Sequence, residues 1–216
     1  MNVRTAVSTG RAAGVLFALA WLVGLFVWTS NTVVSASDAT IVRDYAAGSA
    51  PAMAQSTLVH GVAGLALAGV VLAALRLLPR DGWARAAGIA GAAAVAISLV
   101  QWVLGMLLAG WAAPAGAAAR SGDLFEVINR LDGVKMLALA ALAVAGAGAI
   151  RGGRALPTWL AWLGWVLAAA LVVSGIGYLF LVGALSGAAY VSLPLLLLWV
   201  TGVGVTLGRS KSLVAS

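Results

Sequence analysis

His60 is the single histidine of a 216-residue chain that has no cysteine. One histidine does acid/base work only where other polar groups reach it, and the chain offers the right types. Gln101 supplies an orienting amide, Asp132 a proton acceptor, Lys135 a cation and Tyr178 a hydroxyl. Glu126 is a further carboxylate, and Asn31, Ser174 and Ser192 are neutral hydrogen-bonding groups. Asp132 and Lys135 stand three apart, a spacing that lets them pair on one helix face. Two kinds of chemistry fit this set. In one, His60, Asp132 or Glu126 moves protons while Lys135 or Tyr178 stabilises charge, as in isomerisation or cyclisation of a hydrophobic substrate. In the other, Asn31, His60, Gln101, Lys135, Ser174, Tyr178 and Ser192 line a site for a small or lipophilic molecule. Without cysteine there is no thiolate metal site, and one histidine cannot supply both axial ligands of a haem. No metal or cofactor is therefore expected.

The elements that must position these residues follow from composition. Hydrophobic residues make up 63% of the chain and charged residues 9%, whereas a soluble domain carries about 25% charged residues. Lipid must therefore solvate most of the surface. Apolar runs near the length needed to cross a bilayer number six, at about 12–34, 58–78, 84–111, 134–150, 157–182 and 188–207. The expected fold is one all-α domain, 1–216, a polytopic bundle of six transmembrane helices. The first run is too long for the 7–15-residue core of a cleaved signal peptide and reads as a retained span. Pro157 suits the first turn of the fifth helix, and Pro194 should kink the sixth.

Charge sets the direction. Arg4, Arg11, Arg76, Arg80, Arg85, Arg151, Arg154, Arg209 and Lys211 fall on one side of the spans, opposed only by Asp81. Arg43, Arg120, Arg130 and Lys135 fall on the other with Asp38, Asp44, Asp123, Glu126 and Asp132. Eight net positive charges on one side and one net negative on the other make up the chain's +7. Both termini are then cytoplasmic. The positive charge reads as an orientation signal rather than as a nucleic-acid surface. The lipid bilayer is the expected partner, and the Ala/Gly/Arg-rich composition points to a bacterial inner membrane.

Two outer loops are long, 35–57 and 112–133. Asp123 followed by Glu126 reads as a capping box opening a short amphipathic helix, with Leu124, Ile128 and Leu131 on its apolar face and Glu126, Asn129 and Arg130 opposite. That helix either lies on the outer surface or runs into the fourth span, and the first loop, with Asp38, Arg43, Asp44 and Tyr45, is expected to form a similar lid. Along the spans the polar residues gather near the outer ends, which implies an outward-facing pocket if they point to the bundle axis. Each also has a plainer role. His60 suits the interface, Lys135 can snorkel outward, Gln101 can join helices, and Tyr178 with Tyr190, Trp28 and Trp111 suits an aromatic belt.

Ser174-Gly175 with His60-Gly61 invites comparison with intramembrane serine proteases, but residue 172 is Val where their Gly-x-Ser-Gly motif needs Gly, and the histidine precedes the serine. No phosphate-binding loop or paired metal carboxylates are found. No span is charged at its midplane, which argues against a proton-coupled transporter but not against an uncoupled facilitator. The chain resembles a group of six-span bacterial membrane proteins of unknown function. The likeness rests on Arg11, Ala13 and Gly14 before the first span, and on Leu156, Pro157, Trp159, Leu160, Trp162 and Gly164 leading into the fifth. It implies the six-span layout and brings no activity with it. Three functions stay open: a binder of a small or lipophilic molecule, a membrane-embedded acid/base enzyme, and a structural or accessory subunit.

Overall fold

A computed structural model describes residues 3–29, 32–78, 81–153 and 156–207. Among these residues the chain is helical and contains no strand. Six stretches are long and apolar enough to cross a membrane: Val3–Val27, Ser49–Leu77, Gly82–Ala112, Ala118–Gly152, Thr158–Leu179 and Gly183–Thr206. The elements within them are α1 (Val3–Val27), α3 (Ser49–Ser56) continuing into α4 (Ala63–Leu77), α5 (Gly82–Leu107), α6 (Ala118–Gly153), α7 (Thr158–Leu179), and α8 (Gly183–Ser186) leading to α9 (Ala189–Thr206). A short helix, α2 (Asp38–Ala47), lies between the first two stretches. Two π-helical segments interrupt the pattern, Thr57–Val62 between α3 and α4 and Leu108–Ala112 after α5.

The long helices form a closed ring in chain order. α1 packs on α4, α4 on α5, α5 on α6, α6 on α7, α7 on α9, and α9 returns to α1. Small residues permit the closest approaches. At the closing seam a Cβ on Gly14 would lie 3.3 Å from the Gly204 Cα, and Thr201 donates to the Gly14 carbonyl at 3.0 Å. Between α6 and α7, a Cβ on Gly133 would lie 2.7 Å from the Gly175 carbonyl oxygen. Glycine is required there because the two backbones touch. The main core runs through the ring, with Leu67, Val70, Ala94, Leu139, Ala143, Leu171 and Val200 among its buried members.

One pole of the ring holds Val3, Leu207, the end of α4 with the start of α5, and the end of α6 with the start of α7; we call it the terminal pole. The distal pole holds α2, α3 and the start of α6. Here the helices depart from the apolar runs. The outer segment 35–57 is mostly α2 and α3, and in 112–133 the expected amphipathic helix takes the second of its two forms, running without a break into the rest of α6. α6 begins at Ala118, so Asp123 lies inside it and caps nothing. The reason is that hydropathy marks where lipid begins, whereas a backbone with good helix formers keeps its hydrogen-bond ladder beyond that point. α1 likewise begins nine residues before the apolar run, at Val3, and ends at Val27. Pro157 is the N-cap of α7 rather than its first residue, with φ −60° and ψ 136°. Pro194 lies in the second turn of α9, so the carbonyl that loses its partner belongs to Tyr190, at the exposed start of that helix. Pro79, Arg80, Arg154, Arg209 and Lys211 fall outside the described residues.

A second small core sits at the distal pole. Ile41 of α2, Leu108 and Phe125 are buried together, with Tyr45, Leu124 and Ile128 against them. Trp28 after α1 meets Tyr45 edge-on at 4.7 Å, and Tyr45 meets Phe125 at 6.1 Å. This aromatic ladder ties α2 to α1 and α6. Ser37 caps α2 by accepting from the Thr40 N–H, and Gln55 of α3 donates to the Gly24 and Trp28 carbonyls at the end of α1. α2 is thus a packed lid at this pole.

Candidate functional site

α6 carries the site. Ser121, Phe125 and Asn129 are buried at i, i+4 and i+8, and Asp132 and Lys135 continue the same face toward the ring interior. Asn129 was expected on the polar face with Glu126 and Arg130. It is instead only 8% exposed and donates to the Phe125 carbonyl at 2.8 Å. Its i+4 relation to Phe125 was the available signal. The buried stripe centres on Phe125 and Asn129, while Leu124 and Leu131 are only half-buried.

Four polar side chains from three elements converge at this level. Lys135 is 5% exposed, and its ammonium lies 2.5 Å from Asp132 Oδ1. It donates to Gln101 Oε1 of α5 at 2.8 Å. Its third contact is His60 Nδ1 at 3.4 Å, from the π segment Thr57–Val62. Gln101 is fully buried at 0% exposure, and its amide nitrogen donates to Asp132 Oδ1 and to the Ile128 carbonyl, each at 3.0 Å. The amide therefore uses both N–H groups and its oxygen, and the ammonium uses all three donors.

Hydrogen-bond direction fixes more. An ammonium only donates, so His60 Nδ1 accepts and the ring proton belongs on Nε2. Among the described residues nothing accepts from that Nε2–H, on the far side of the ring. Asp132 Oδ2 accepts no hydrogen bond among the described residues, and 23% of its side chain is exposed although its face of α6 is otherwise buried. His60 and Tyr178 are likewise half-buried, and Asp132 lies within electrostatic reach of both. One donor, one acceptor and one hydroxyl are left open around a charge-balanced, buried base.

The surroundings hold this geometry. A π turn takes one residue more than an α turn and is common where a helix positions a functional group. Beside His60, the Trp102 ring packs over Gly61, and Trp102 Nε1 donates to Thr57 at 3.1 Å. Ser49 donates to the Ala109 carbonyl in the second π segment at 2.7 Å.

The remaining candidates divide. Ser174 and Ser192 are fully buried and share a hydrogen bond at 3.1 Å, joining α7 to α9. Ser174 also donates to the Ala170 carbonyl, and neither hydroxyl bonds to the four-residue network. Glu126 stands on the exposed face of α6 and pairs with Arg130 at 2.7 Å, while Arg130 donates to the Leu179 carbonyl. Asn31 lies outside the described residues. Among the described residues no three His, Cys, Asp or Glu side chains group to hold a metal.

Toward the lid, Thr32 donates to Asp44 at 2.8 Å, and Arg43 pairs with the other carboxylate oxygen at 3.0 Å. The Thr32 bond holds the Asp44 carboxyl below its ordinary range, burial opposes this, and Arg43 lowers it further. Burial, aided by the Asp44 charge, pushes the neighbouring Tyr45 phenol well above its ordinary range. Set against protein-family models, curated proteins and solved structures, the chain matches none of them.

Proposed function

We propose that the chain is a multi-pass protein of a bacterial inner membrane that binds a small or lipophilic molecule at an outward-facing site on His60, Gln101, Asp132, Lys135 and Tyr178. The convergence of four of these side chains carries the reading, together with the unfilled valences that His60 Nε2 and Asp132 Oδ2 present beside a partly exposed surface. A network that served only to join helices would close on itself, as the Ser174–Ser192 pair does.

Depth supports the same reading. Arg151 and Lys135 are 16 residues apart on one helix, about 24 Å. With Arg151 at one boundary of a hydrocarbon layer roughly 30 Å thick, Lys135 lies just inside the other. The 36 residues of α6 then carry its first turns beyond the lipid, under α2. The excess of arginines in the connections that flank the termini along the sequence supports a cytoplasmic location for both termini and an outer one for the lid. A molecule with one hydrogen-bond acceptor for His60 and one donor for Asp132 suits the site, and its apolar part would remain in the bilayer.

One observation favours catalysis as the second reading. A neutral histidine and a carboxylate within electrostatic reach of one another are also an acid/base pair, suited to moving a proton between two positions of a hydrophobic substrate. Organic extraction of the purified protein, followed by mass spectrometry, tests both readings. A molecule enriched in the native protein should be absent from a folded His60→Ala variant. Equal extracts from the two proteins would contradict binding. Retention of the molecule in Asp132→Asn, with conversion of it abolished, would turn the binder into an enzyme.

A further inference from the structure

The His60 network holds no net charge. Asp132 and Lys135 cancel as a pair, and His60 is neutral because its Nδ1 accepts from the ammonium. Gln101 is an amide and Tyr178 a phenol. The cation is also closed to a ligand. Lys135 is 5% exposed and all three of its donors are engaged.

No second charge stands near to receive an ion. α3, the π segment Thr57–Val62, α7, α8 and α9 contain no acid, lysine or arginine, and α5 has none after Arg85. On α6 the next charges toward the distal pole are Glu126 and Arg130, which pair with each other at 2.7 Å. Arg130 also donates to the carbonyl of Leu179, the residue after Tyr178. Arg120, farther out, stacks over Trp111 at 4.7 Å. A head group of either sign would therefore leave water and meet no unpaired counter-charge, which makes its burial costly.

What the network leaves to a ligand is neutral hydrogen bonding. Among the described residues nothing accepts from the His60 Nε2–H and nothing donates to Asp132 Oδ2. The first calls for an acceptor and the second for a donor, and a hydroxyl group is both. We infer that the site selects an uncharged, hydroxyl-bearing lipophile, an alcohol or phenol on a hydrocarbon body, over anionic or cationic heads on the same body. The inference rests on the binding function proposed above. It makes Lys135 a specificity-determining residue, because its buried ammonium cancels the charge that Asp132 would otherwise present.

Decyl compounds that differ only in the head test this: decanol, decyl methyl ether, decylammonium and decanesulfonate. Each is titrated at pH 7 into the detergent-purified native protein, labelled in its imidazole nitrogens so that NMR reports the single histidine. Decanol should shift the Nε2 signal saturably. It should bind about ten-fold more tightly than the ether, which has no hydrogen to donate to the carboxylate, and more tightly than either ion. Asp132→Asn leaves Lys135 unopposed, so there decanesulfonate should gain on decanol. An ion or an ether that matches decanol in the native protein would overturn the selectivity and leave the binding site standing. An unchanged order in Asp132→Asn would also overturn it. A His60 signal that none of the compounds moves would overturn the binding function itself, and the inference with it. If Asp132→Asn does not fold, the native comparison decides alone.

Discussion

Lys135 has three N–H bonds to give and three acceptors around it, and that match decides the state of its neighbours. His60 must accept at Nδ1, so its proton sits at Nε2. Because the chain has one histidine, nitrogen NMR of imidazole-labelled protein reports this residue alone. The spectrum should show the neutral Nε2–H tautomer at pH 7. An Nδ1–H tautomer would break the Lys135 contact and with it the site described here. Removing the cation leaves a buried carboxylate facing a buried amide. Lys135→Met should therefore destabilise the fold by about 3–5 kcal/mol, and Lys135→Met/Asp132→Leu should recover much of that loss. Thermal denaturation in detergent checks both, and an undiminished single variant would mean the charge is not buried. The residue types were legible in the sequence, as were the common level of His60, Gln101 and Lys135 along the helices and the Asp132–Lys135 spacing. The partition was not. Nothing in spacing separates Ser174 and Ser192, which close on each other, from Gln101, which joins the network, because that depends on which helices become neighbours.

At the scale of elements, the lid and the length of α6 matter most. Apolar runs located six helices, but their ends followed lipid rather than hydrogen bonding. α6 continues sixteen residues before its expected start at Val134 because Glu126 and Arg130 face outward at helical spacing while Ser121, Phe125 and Asn129 face inward. α2 was legible only as a lid around Asp38, Arg43, Asp44 and Tyr45, without helix bounds, for a related reason. It is ten residues long with one buried member, Ile41, so its stability comes from the Trp28–Tyr45–Phe125 contacts rather than from its own periodicity. Its docking should also depend on pH. The folded Asp44 carboxyl is held below the ordinary 3.8, first by the Thr32 hydroxyl. A depressed folded-state value means the ionised form's contribution is in place above the ordinary value. It is lost as pH falls through the lowered one. Thr32→Val should move that loss to higher pH. Hydrogen exchange of residues 38–47, compared between the two proteins at matched acid pH, should be faster in the variant. Equal rates would show that Asp44 does not hold the lid.

The whole molecule is a ring of six long helices closed between first and last, a consequence of short connections at the terminal pole and of glycine at the α1–α9 and α6–α7 seams. Helix number and class were readable from composition. Closure was not, because the contact of Gly14 with Gly204 joins positions 190 residues apart. On the proposed reading the ring opens to the outside at the His60 network. The absence of cysteine allows a direct test with single cysteines and a charged, membrane-impermeant thiol reagent applied to intact cells. Tyr178→Cys should label from outside, Leu171→Cys in the core should not label at all, and Arg151→Cys should label only after the cells are opened. A Tyr178→Cys protein that resists the charged reagent and reacts only with a lipid-soluble one would place residue 178 against lipid and contradict the site.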